Sequence, residues 1–309
     1  MLNIYFDRLF CETSSCAENG GTAKTFTYNS ADGICTYNFV LRDISAVVPE
    51  IKENTLFDII TPFDYGGPQY DNESVLPEFF KEFSLWCADN SVVSEFIRFA
   101  PTYDFNFDII SRFMDTAKIG DHVYVSLKHK LTEQYSESRK RNVAKSEMRD
   151  VSFGTCSHEE FYSLYLRTMQ RLSAHPYFHF SEVFIKQMAE NFGQIFCIRD
   201  ADIITHAILV LEEDDTAYYF LGASSGEDTG LNSLLFHKTA QYYQEKGKHR
   251  FFLGGGSSGV YNFKRRFSKL TLPYYIGKKV HNHKEYDKLT EMTNREQNSF
   301  FPKYRERII

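Results

Sequence analysis

One pattern occurs twice in this chain. LFDIITPFDYGGP (56–68) reads as a strand running into a glycine loop. A helix follows, with Phe79, Phe80, Phe83 and Trp86 at helical spacing, and then VVSEFIRFAP (92–101) alternates as a strand. AYYFLGASSGEDTG (217–230), the helix LNSLLFHKTAQYYQEKG (231–247) closed by Gly247, and HRFFLGGG (249–256) repeat that order. Strand, glycine loop, helix, strand is an α/β unit. Two copies within 309 residues point to an internal duplication that gives two related domains.

The remaining segments fit that frame. TAKTFTYNS (22–30) and ICTYNFVLRDI (34–44) flank Ala31-Asp32-Gly33 as a hairpin, and HVYVSL (122–127) is a further strand. Residues 132–150 change character to one polar, strongly basic helix, and the domain boundary is placed at its end, near 150. Beyond it come helices over 158–172 and 181–193, the second with Ser181 as N-cap and Gly193 as C-cap. Strands over 194–200, 202–213 and 216–224 follow, and a last strand lies at 272–281. No role is assigned to the polar, charged segment from Glu285 onward.

Composition narrows the function classes. The net charge of −6 offers no global attraction to DNA or to an anionic membrane surface. No 18-residue apolar run is present, so no membrane span is expected, and the first residues lack the basic start of a secretory signal. Six cysteines without a C-x-x-C pair read as reduced thiols in a cytoplasmic protein. The pairs His175/His179 and His281/His283 have no companion ligand at metal spacing, so no metal is expected. G-x-S-x-G and G-x-x-x-x-G-K-[ST] are absent, which disfavours a serine hydrolase and a P-loop kinase.

FFLGGGSSGVYNFKRRF (251–267) sets three glycines between an apolar strand and a short basic segment. Glycine weakens regular structure, so three in a row imply a close backbone approach or torsion angles closed to other residues. Taken in order, DYGGP (64–68), SRKRNVAKSEMRD (138–150) and LGGG…NFKRRF (253–267) resemble the Fem-type transferases, tandem members of the GNAT acyltransferase superfamily, over roughly residues 30–280. The resemblance implies an α/β (α+β) fold of two tandem GNAT-like domains, each a mixed central sheet flanked by helices: residues 1–150 on the acceptor side, 151–309 on the donor and catalytic side. Classical members move an amino acid from aminoacyl-tRNA to a peptidoglycan precursor; other members of the superfamily move acetyl from acetyl-coenzyme A. The long coiled-coil insertion of some Fem proteins is missing, and so is a clear pyrophosphate loop, whose place is taken by Ser224–Gly230.

The resemblance puts Phe263 and Lys264 at the reaction centre, where a backbone amide and an ammonium would meet a developing oxyanion. On the donor side stand Gly254, Gly255 and Gly256 as bare backbone, Ser225 in the substitute loop, Asn232 at a helix start, and Arg265. On the acceptor side stand Asp64, Tyr65, Gly66 and Gly67, with Arg98 as a phosphate clamp or a structural ion pair, and Arg139 and Arg141 on the basic helix. Asp64 and Glu95 are base candidates by location alone. The expected activity is transfer of an acyl group, acetyl or aminoacyl, to the amine of a cell-envelope precursor such as a nucleotide sugar or peptide conjugate, with peripheral contact if that substrate is lipid-linked. Acetyl-coenzyme A is the preferred donor and aminoacyl-tRNA the alternative. A third reading is a non-catalytic module that binds a sugar nucleotide or a partner.

Overall fold

The computed structural model describes residues 3–18, 21–226 and 230–306. They fall into two units: 2–119 with 274–309, and 120–273.

In the first unit α1 (Arg8–Ser15) starts at Asp7, whose side chain accepts from the Phe10 amide. The expected hairpin forms as β1 (Thr22–Ser30) and β2 (Gly33–Asp43), with Ser30 opposite Gly33 across the turn. β3 (Phe57–Ile60), the short β4 (Gln69–Tyr70), α2 (Leu76–Asp89) and β5 (Val92–Arg98) follow. α2 buries Leu76, Phe79, Phe80, Phe83 and Cys87, the stripe that its three- and four-residue spacing requires. α3 (Phe107–Ile110) closes this stretch.

The second unit takes up the chain within β6 (Asp115–Ser126) and continues through α4 (Leu131–Gln134), α5 (Glu137–Glu147), β7 (Ser152–Thr155), α6 (His158–Arg171), α7 (Glu182–Phe192), β8 (Gly193–Asp200), β9 (Ile203–Glu212), β10 (Thr216–Ser224), α8 (Leu231–Glu245), β11 (Arg250–Gly254) and α9 (Ser258–Arg265). β12 (Thr271–Val280) and α10 (His283–Met292) then lead into the first unit again.

Three expectations need correction here. The basic segment 132–150 is two helices, because Tyr135 is extended and the Ser136 side chain caps α5 through the Arg139 amide. The division falls at Gly120 rather than near 150. Leu131, Tyr135 and Val143 share one buried cluster with Val123 and Val125 of β6 and Leu253 of β11, so both helices of the basic segment pack with second-unit strands on either side of them in sequence. Residues 274–306 cluster with the first unit, where Tyr286, Leu289 and Tyr304 bury against Ile44, Val48 and Val93. Each such side chain contributes roughly 1.5–3 kcal/mol when fully buried. Gly193 does not cap α7 in a left-handed turn: it is extended and opens β8, where a Cβ would stand 2.0 Å from the Val210 carbonyl oxygen.

Strand pairing is mixed within each unit. In the first the order is β1-β2-β3-β5-β12, with β4 on β2; in the second it is β6-β11-β10-β9-β8-β7. Neighbours within each are antiparallel except for one parallel pair, β3/β5 in the first unit and β10/β11 in the second. α2 lies between the strands of the first pair in sequence and α8 between those of the second, so the duplicated pattern is a duplicated parallel crossover.

Candidate active site

The two parallel pairs end differently. In the first unit the strands stay stitched together. β3 pairs with β5 as far as Ile60 and Phe96, the Thr61 amide donates to the Phe96 carbonyl at 3.3 Å, and Gly66 bridges Phe99. Arg98 closes the seam: its guanidinium donates to the carbonyls of Thr61 and Pro62 at 3.1 and 3.2 Å and to Glu18 at 3.1 Å.

In the second unit β10 and β11 pair only over 216–218 and 250–252, although β10 continues to Ser224 and β11 to Gly254. A register shift between Tyr219 and Leu221 bulges β10 at the point where pairing stops. The strands therefore part, and the triple glycine and α9 follow directly from the freed end of β11.

The glycines are accounted for one by one. Gly254 and Gly256 have φ of +73° and +133°, closed to other residues without strain. Gly255 lies against His122 of β6, where a Cβ would stand 2.5 Å from Nε2. The Gly255 carbonyl accepts from Lys264 Nζ at 2.5 Å, and that ammonium stands 4.9 Å from the centroid of the Tyr219 ring. Lys264 is 6% exposed and His122 7%. Burial, and then the charge of Lys264, push the His122 imidazole down to about 3. At neutral pH the cluster thus holds one cation, one uncharged imidazole, one aromatic face and bare main chain.

The sequence sets Lys264 at the reaction centre and Gly255 on the donor side, and the structure brings the two into contact. It missed His122, which sits in HVYVSL as one more alternating residue. A histidine at the start of an otherwise apolar strand was the available signal. Tyr219 is half-buried beside the bulge while Tyr218 is fully buried, so Tyr219 is the one of the two at the splay. Phe263 lies in the second turn of α9, where its amide belongs to the helix ladder. Its ring packs 5.4 Å from Phe236 and 5.5 Å from Phe267, so its side chain serves the core. Arg265 bonds the Ser268 carbonyl at 3.2 Å.

The loop after β10 is held from α6. Thr168 exchanges bonds of 3.0 Å with the Ser224 backbone, and the Arg171 guanidinium donates to the Ser224 carbonyl at 3.2 Å. Ser225 is exposed, its amide bonded to the Thr205 carbonyl at 2.8 Å. Glu227, Asp228 and Thr229 lie outside the described residues. Gly230 enters α8 at φ +75° with no side-chain cap, and Asn232 sits half-buried in the first turn.

Most of the acceptor-side candidates are committed to the fold. Arg98 is committed to Glu18 and two backbone carbonyls, so the structural ion pair is its role. Arg139 is 2% exposed: it bonds Ser233 and the Phe263 carbonyl and lies 4.3 and 4.0 Å from the ring centroids of Phe263 and Phe267. Gly66 spends its amide on the Arg98 carbonyl at 2.9 Å, and a Cβ on Gly67 would stand 2.8 Å from Phe105. Tyr65 is buried edge-on to Tyr5 and Tyr274. Glu95 is buried beside His281 at 3.1 Å and cannot meet a substrate as a base. Asp64 is half-buried with φ of +71°, and Arg141 is exposed on α5.

No family model matches the chain, and no curated protein sequence does. Solved structures do. FemX aligns over 93% of this chain and 98% of its own at 12% identity, with a TM-score of 0.65. The C-terminal domain of a protein from Agrobacterium fabrum described as a lysylphosphatidylglycerol synthetase aligns over 89% and 88% at 13% identity, TM-score 0.59. L-PGS from Bacillus licheniformis aligns over 88% and 91% at 14% identity, TM-score 0.56. No helix among the described residues is long and apolar enough to cross a membrane. The described chain shares the fold of FemX.

Proposed function

We propose that this protein is an acyltransferase that moves an acyl group from a thioester or ester donor to the amine of a cell-envelope precursor. The observation that carries the reading is the meeting of Lys264, Gly255, His122 and Tyr219 where β10 and β11 part. The donor would lie along Gly254–Gly256, with Ser225, Asn232 and Arg265 on its phosphate-bearing side. The acceptor nitrogen attacks the donor carbonyl with its lone pair. Lys264 faces the negative charge that gathers on the carbonyl oxygen. The bond from carbon to sulfur then breaks, and the leaving thiolate takes up the proton lost by the amine.

His122 is too acidic as an imidazolium to serve as a base at neutral pH. Its place is that of an uncharged polar wall beside the carbonyl. The Lys264 charge, which adds to burial in keeping His122 neutral, would also act on an incoming ammonium and favour the free amine that the attack requires. For an anionic acceptor, Arg141 and Lys145 offer exposed charge on one face of α5.

Acetyl-coenzyme A is the first donor to test, because the coiled-coil insertion of some Fem proteins is missing. Aminoacyl-tRNA is the second, favoured by the extent of the likeness to FemX. Purified protein is to be assayed for thiol release from acetyl-coenzyme A with amino-sugar nucleotides, and for amino-acid release from aminoacyl-tRNA. Turnover by wild type that falls about 10²–10³-fold in Lys264→Ala supports the reading. Ligand-dependent melting shifts with no release from either donor would replace it with a binding module.

A further inference from the structure

Cys156 and Cys197 lie outside the site described above. β7 pairs with β8 so that Gly154 stands opposite Cys197, and the Cys156 amide donates to the Ile195 carbonyl at 3.3 Å. Residues directly across an antiparallel pair share a face, so Cys156 and Cys197 are diagonal neighbours on one face. The two thiols act directly on each other's ionisation. Gly154 puts no side chain beside Cys197, and the place of its missing Cβ is open space. Cys156 is half-buried and Cys197 is 1% exposed. The ion pair of Arg199 and Glu160, 3.0 Å apart, flanks both sulfurs. Cys156, helped by Arg199, holds the Cys197 thiol below its ordinary value, while Cys197 and then burial push Cys156 up.

We infer that Cys156 and Cys197 form a reversible oxidation site that closes to a disulfide with a small disulfide oxidant. Cys156, the more accessible sulfur, gives up its proton and attacks the oxidant, displacing one thiol and leaving a mixed disulfide. Cys197 gives up its proton, attacks the Cys156 sulfur and displaces the second thiol. Two electrons pass from the pair to the oxidant, and the two protons leave on the released thiols. Of the other cysteines Cys11, Cys35 and Cys87 are buried and Cys16 is exposed. Cys156 immediately precedes Ser157, the N-cap of α6, and α6 holds Ser224 through Thr168 and Arg171. The new bond would fasten the root of that helix to β8.

The test uses the full chain with Cys16→Ser, incubated with oxidised glutathione, alkylated and digested without reductant. The expected product is one cross-linked pair of peptides containing Cys156 and Cys197, lost on reduction, with two of the five remaining thiols consumed. In Cys197→Ser the expected product is instead a stable glutathione adduct on Cys156. A stable adduct on Cys156 while Cys197 is present, or five thiols intact, would overturn the inference. The peptide map reads the bond itself, so its failure leaves the transferase reading untouched, and the reverse holds.

Discussion

At the scale of single residues, Gly255, His122 and Lys264 depend on one another. The glycine admits the imidazole, the imidazole fills the space over the glycine, and the ammonium is tied to the glycine carbonyl. A histidine held neutral in the folded state binds fewer protons than its unfolded counterpart. Its contribution to stability is therefore complete above the ordinary histidine value, near 6.5, and is lost as pH falls from there toward about 3. Chemical denaturation across that window should show wild type losing stability more steeply than His122→Gln. In Lys264→Met, the His122 ring should titrate at a higher pH by NMR but stay below 6.5, because burial is the larger cause and remains. An unchanged His122 titration in Lys264→Met would mean that the two side chains do not meet. None of this coupling was legible in the sequence, where His122 and Lys264 stand far apart and only the glycine run advertised a close approach. Arg98 and Arg139 misled for the same reason. A cation in a basic or loop-adjacent stretch reads as a ligand clamp until its burial and its distant partners, Glu18 and Ser233, are seen.

At the scale of elements, α5 shows how one helix divides its cations. Arg139 faces inward under Phe263 and Phe267, and Arg141 faces out. Arg139→Ala removes hydrogen bonds to Ser233 and Phe263 and the packing beneath two rings, and should cost about 2–4 kcal/mol. Arg141→Ala should stay within about 0.5 kcal/mol. Urea unfolding of the two variants checks this, and equal losses would contradict the placement. Element types were largely legible: the hairpin, the crossover helices α2 and α8, and the strands other than β4 and β7 follow from periodicity, caps and glycines. Less legible were the breaks, such as the one at Tyr135, which depend on where a capping serine outcompetes a continuous helix.

At the scale of the whole chain, the most consequential surprise is the destination of the last residues. Arg305 reaches Asp58 at 2.5 Å and Arg42 reaches it at 2.8 Å, while the Tyr304 hydroxyl donates to Asp58 at 3.2 Å, all buried in the first unit. A charged tail carries no periodic signal for such docking, so the sequence offered no role for it. Burial pushes the Asp58 carboxyl up, but Arg305 and Arg42 outweigh it and hold it below the ordinary carboxylate value. That stability is present above the unfolded value and is lost as pH falls through the lower folded one, below about 4. Arg305→Ala breaks the buried cluster and should cost about 3–5 kcal/mol in a denaturant titration. A loss under about 0.5 kcal/mol would mean that the tail is not seated there.

The duplicated crossover is sealed in one unit and parted in the other, and the proposed chemistry lies where it is parted. Initial acyl-transfer rates of wild type, Lys264→Met and Arg98→Met, each normalised to folded protein, test this most directly. The prediction is a loss of about 10²–10³-fold for Lys264→Met and a rate within a few-fold of wild type for Arg98→Met. Wild-type turnover by Lys264→Met, with Arg98→Met inactive though folded, would contradict it.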